Sequence, residues 1–116
     1  MSSWDEDIFS DEVVVEFLDE LADLDDEAVA AVEDACALAV SGEEQGDEER
    51  RIALAAATIA AIWSGAPFSA GDVVEDYPFI RDLAGSGSET LNEHALELLE
   101  SVEEDYDLEA FIEALS

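Results

Sequence analysis

Apolar residues recur along this chain at helical spacing, and in one stretch they close the whole circle. Ile52 to Trp63 reads Ile-Ala-Leu-Ala-Ala-Ala-Thr-Ile-Ala-Ala-Ile-Trp, apolar on every side apart from Thr58. A helix that is apolar all round belongs inside a protein, and this one falls well short of the ~20 residues needed to cross a bilayer. It predicts a buried central helix over about 48–64. Asp47 is a suitable N-cap, Glu48 and Glu49 suit the positive end of the helix dipole, and Gly65 followed by Pro67 gives the stop.

Amphipathic segments flank it. Ser10 can cap a helix from Asp11 to about Ala22, with Val13, Val14, Phe17, Leu18 and Leu21 on one face and Glu12, Glu16, Asp19 and Glu20 mainly outward. A second runs from about Asp26 to Ser41, its stripe being Val29, Val32, Cys36 and Ala39 or Val40, and Gly42 can supply the left-handed end. Gly65 to Asp72 reads as a loop. Asp72 starts a short helix broken at Pro78, with Phe79, Ile80 and Leu83 following, and Gly85-Ser-Gly-Ser88 is a turn. Leu91, Ala95, Leu98, Leu99 and Val102 then repeat at helical spacing up to about Glu104. Asp107 caps a last helix with Leu108, Phe111, Ile112 and Leu115 inward. No stretch alternates as a strand would, so the expected fold is all-α: one domain over 1–116, a bundle of about five to six helices, with residues 1–10 as an N-terminal arm.

Charge changes the picture of the surface. Thirty-three carboxylates face three arginines, Arg50, Arg51 and Arg81, there is no lysine, and the formal net charge is -30. Acidic chains that are disordered lack apolar residues, whereas 49% of this one is hydrophobic, so the charge lies on a folded surface. Acids occur nineteen times in residues 1–58 and fourteen times in 59–116, and they vanish only from Arg50 to Gly71, which makes them a coat around the central helix. Replacement of all lysine with alanine and valine abundant resembles the composition of salt-in halophilic archaea, whose cytosol is molar in potassium salt. At such ionic strength the Debye length is roughly 3 Å, and diffuse counterions such as potassium screen neighbouring carboxylates. Direct nucleic-acid binding is disfavoured, since three arginines cannot offset repulsion by a phosphate backbone.

Candidate chemistry is sparse. Among so many acids, Glu93 with Glu97, or Asp72 with Asp76, arises by chance and does not single out acid–base work. His94 is the sole histidine, and with Glu97 one turn on it makes at most a two-ligand surface site. Cys36 sits on an apolar stripe without a basic neighbour, so it reads as a small core residue, and a single cysteine excludes an internal disulfide. The glycines and serines of 85–88 lack the lysine of a phosphate loop. No catalytic, cofactor or metal residues are therefore expected. The N-terminal Met-Ser-Ser-Trp-Asp-Glu-Asp lacks the basic and apolar blocks of a secretory signal, which predicts a cytoplasmic protein without a membrane role.

The arm carries the most motif-like residues. Trp4, Ile8, Phe9, Ser10 and Asp11 resemble the opening of a bacterial and archaeal family of small proteins of unknown function, in which a Gly-Thr-Trp-Gly pattern and a short spacer precede Phe and an acidic cluster. Here Ser2-Ser3 and Asp5 stand where that family usually has glycine, and the resemblance implies no activity. Two readings of the arm follow. Trp4 and Phe9 fold back over one end of the bundle, Phe9 lying just before the Ser10 cap; or Trp4, Asp7, Phe9 and Asp11 form an exposed hook that a protein partner grips, as aromatics flanked by charge do.

Three function classes remain: an interaction or regulatory protein adapted to high salt; a nucleic-acid mimic or immunity-type inhibitor of a basic DNA-binding protein or nuclease; and an enzyme, which has no motif behind it. A homodimer through an apolar strip within Phe68 to Phe79 is a further expectation.

Overall fold

The computed structural model describes residues 8–9, 11–24, 27–40, 46–65, 75–82, 85, 89–101 and 108–115. Their regular structure is all helical: α1 (Glu12–Leu24), α2 (Ala28–Val40), α3 (Asp47–Trp63), α4 (Phe79–Asp82), α5 (Glu89–Glu100) and α6 (Glu109–Leu115). No strand occurs among the described residues, and the chain is a single all-α domain.

Helix α3 is the axis. Every residue from Ala53 to Trp63 is buried, and α1, α2, α4, α5 and α6 all pack on it. Alanines at 53, 55, 56, 57, 60 and 61 give it a slim profile, so several neighbours can approach its backbone at once. The polar exception is satisfied locally, because the Thr58 hydroxyl donates to the Leu54 carbonyl oxygen at 2.8 Å.

The flanking helices bury most of the stripes their spacing predicts, while Val13, Ala39, Val40 and Leu98 are only partly buried. Val14, Phe17, Leu18 and Leu21 of α1 enter the core, as do Ala28, Val32 and Cys36 of α2, Leu91, Ala95 and Leu99 of α5, and Phe111 and Leu115 of α6 with Leu108 just before it. Fully burying one such leucine or valine contributes about 1.5–3 kcal/mol, so these stripes are the main source of cohesion. Leu38 faces outward at 53% exposure, and Val29 and Ile112 are only partly buried.

Two helix starts show how their first amides are met. At α1 the Asp11 Oδ1 accepts a hydrogen bond from the Val13 N–H at 3.0 Å. A carboxylate held one residue before the first helical position reaches that amide directly. Helix α3 is preceded by Gly46 in extended backbone with no side-chain cap, and Asp47 is its first helical residue. There, with Glu48 and Glu49, Asp47 acts through the dipole instead of capping. Ser10, Gly42, Asp72, Leu83, Val102 and Asp107 lie outside the described residues.

The end of α3 is tied down with care. Ser64 and Gly65 donate backbone hydrogen bonds back into its last turn, and the Gly85 N–H caps the Trp63 carbonyl oxygen at 2.9 Å. Gly65 and Gly85 have φ of 106° and 86°, values that glycine adopts without a Cβ penalty. The Ser64 hydroxyl donates to Asn92 Oδ1 at 3.1 Å, which anchors this end to α5.

Candidate functional site

Of the four arm residues singled out above, Trp4 and Asp7 lie outside the described residues, and the other two take structural positions. Phe9 is only 1% exposed, packed with Ile8 in the core, so its ring is not offered to a partner as the hook reading expected. Burial releases its whole apolar surface from water, a gain that an exposed hook would forgo. Asp11 is a quarter exposed. Besides capping α1 it sits 3.3 Å from the Arg51 guanidinium, which joins the start of α1 to α3. Both oxygens of this carboxylate are thus engaged within the fold.

The other candidates are also placed. Cys36 is buried in the core, and burial, with the nearby charge of Glu33, pushes its thiol up to about 12. A thiol held protonated is a poor nucleophile. His94 is half-buried on α5 and Glu97 is exposed one turn later. Among the described residues no group of three or more His, Cys, Asp or Glu side chains could share a metal ion. Nor is any helix there long and apolar enough to cross a membrane. For the dimer strip, residues 68–74 lie outside the described set, while Phe79 faces the core and the rings of Tyr77 and Phe79 meet in a T shape with centroids 6.3 Å apart.

Trp63 poses a separate question. Its ring is buried at the end of α3, and its Nε1–H has no hydrogen-bond partner among the described residues. A buried donor left without a partner costs about 1–3 kcal/mol, which the burial of the apolar ring has to offset.

Sequence reasoning missed one feature. A cleft of about 300 Å³ opens where the C-terminal ends of α2 and α5 meet the start of α3. Ala39 and Val40 of α2, Leu54 of α3 and Leu98 of α5 form apolar walls, and Arg50, Glu97 and Ser101 supply the polar groups. Arg50 is exposed and makes no ion pair among the described residues, in contrast to Arg51. The Ser101 hydroxyl is turned onto the Leu98 carbonyl oxygen and closes the end of α5. The only sequence signal for this cleft was that Arg50 opens the acid-free stretch; the other walls come from segments far apart in the chain.

Comparison with known proteins adds a family and nothing more specific. A family model described as a domain of unknown function (DUF4259) matches residues 2–113. No curated protein and no solved structure matches the chain.

Proposed function

The chain belongs to the DUF4259 family, and we propose that it serves as a small non-catalytic interaction or regulatory module of the cytoplasm, coated with charge for a salt-rich medium. The observation that carries this reading is where the acids stand. Every described carboxylate except Asp11 and Glu33 is exposed. Rows at four-residue spacing run along both α1 (Glu12, Glu16, Glu20) and α5 (Glu89, Glu93, Glu97), two helices that pack on α3 without substantial contact with each other among the described residues.

Charge meant for a single basic partner would gather on one side, whereas charge on separate flanks acts on solvation and self-repulsion. Molar potassium salt shortens the Debye length to roughly 3 Å and removes most of that repulsion. The partner in this reading is a protein, and potassium ions are diffuse companions of the surface.

The test is helical circular dichroism as potassium chloride is lowered from molar to about 0.1 M, where screening lengthens to roughly 10 Å. Helicity is expected to be lost or strongly reduced. Full helicity at the low end overturns the salt-adapted reading.

The α5 row favours a second reading, a nucleic-acid mimic or immunity-type inhibitor. Glu89, Glu93 and Glu97 step by about 6 Å along the helix axis, a regular line of negative charge on one face. Affinity capture at native salt that returns one basic nuclease or DNA-binding protein would decide for it.

A further inference from the structure

The cleft at Arg50 goes beyond both readings. In a chain with 33 carboxylates, none of the described ones pairs with this guanidinium, although Glu97 also lines the cleft. An arginine fork is matched in shape and charge by a carboxylate, which it can grip through two parallel hydrogen bonds. The apolar walls, Ala39, Val40, Leu54 and Leu98, offer nothing to a fully hydrated anion such as phosphate, but they would shelter a hydrocarbon tail.

We propose that this cleft binds a small monocarboxylate with an apolar tail, its head on Arg50 and its tail against Leu54, Leu98 and Val40. The volume of about 300 Å³ lies at the low end for small-ligand sites, which fits an acid with a tail of modest length. Glu97 sets the charge limit, because a second anionic group would share the cleft with its carboxylate. The overall charge of -30 opposes any anion in dilute buffer, but at molar salt only contact pairing is felt. That point rests on the salt-rich medium proposed above, while the geometry of the cleft does not.

The test is titration of the isotope-labelled full chain with octanoate in molar potassium chloride, read by amide chemical shifts, with circular dichroism recorded on each protein at the same salt. Saturable shifts are expected at Ala39, Val40, Leu54 and Leu98. Arg50→Gln should weaken octanoate about tenfold or more, the loss of one charge-assisted contact. Glu97→Gln should tighten it by relieving repulsion. Inorganic phosphate and octylammonium should produce no saturable shifts at these positions. Octanoate binding unchanged by Arg50→Gln, or 1-octanol binding as well as octanoate, overturns the proposal. Salt-independent folding, which would defeat the salt-adapted reading, leaves these outcomes as decisive as before.

Discussion

The Tyr77 hydroxyl donates a 2.6 Å hydrogen bond to the Asp19 carboxylate, 58 residues away in sequence, and so fastens the segment ahead of α4 to the outer face of α1. This bond, then partial burial and the charges of Asp19 and Asp76, pushes the phenol up from 10.0 to about 12. A hydroxyl bonded to a carboxylate is short and strong for its class, yet this one lies at the surface, where water competes.

Tyr77→Phe should therefore cost only about 0.5–1 kcal/mol in denaturant unfolding at neutral pH. The folded state holds the phenolic proton more tightly than the unfolded one. Its contribution is full below pH 10 and should fade as pH rises from about 10 to about 12. The difference in phenolate absorbance between wild type and variant isolates the titration of Tyr77.

Asp11 and Arg51 separate a cap from an ion pair. Asp11→Ala removes both interactions and should destabilise by about 1–2 kcal/mol. Arg51→Gln leaves the cap, and with its side chain 51% exposed it should cost under ~1 kcal/mol. Equal losses in a double-mutant cycle would show that the cap contributes nothing.

Gly85→Ala tests the tie at the end of α3. Open space surrounds the position of an added Cβ, so the cost is the left-handed backbone alone, about 1–2 kcal/mol. A drop in thermal midpoint is expected; no drop means that the turn relaxes without consequence for α3.

Cys36 can report opening of the bundle. Because burial pushes its thiol to about 12, a disulfide reagent at mildly alkaline pH should leave the native chain unlabelled in molar salt. Labelling should accelerate as potassium chloride is lowered, in step with the loss of helicity. Rapid labelling at high salt would place the thiol outside a closed core.

The central helix was legible because a run of residues from Ile52 to Trp63, apolar but for Thr58, leaves no outward face, and the stripes of α1 and α5 because charge and hydrocarbon alternate there at helical spacing. Boundaries were less so. The spacing started the first helix at Asp11, and only the fold shows that the carboxylate of this residue meets the Val13 amide. Asp47 suits a cap by residue type, yet Gly46 holds that position in extended backbone and Asp47 is already helical. Phe9 illustrates the limit for function: an aromatic between acids suits an interface or a core equally well, and burial decides. The Arg50 cleft was invisible because its walls come from three helices whose meeting no local pattern records.

The alanines of α3 reverse the usual vulnerability of a protein interior. Most cores suffer when a large side chain is trimmed, yet here the axis is already trimmed to methyl groups, and five helices rest directly against it. Added bulk at Ala56, Ala57 or Ala60 would force its neighbours apart at once, an overpacking penalty of typically 1–3 kcal/mol. The centre of this protein therefore tolerates substitution only beneath a ceiling on size.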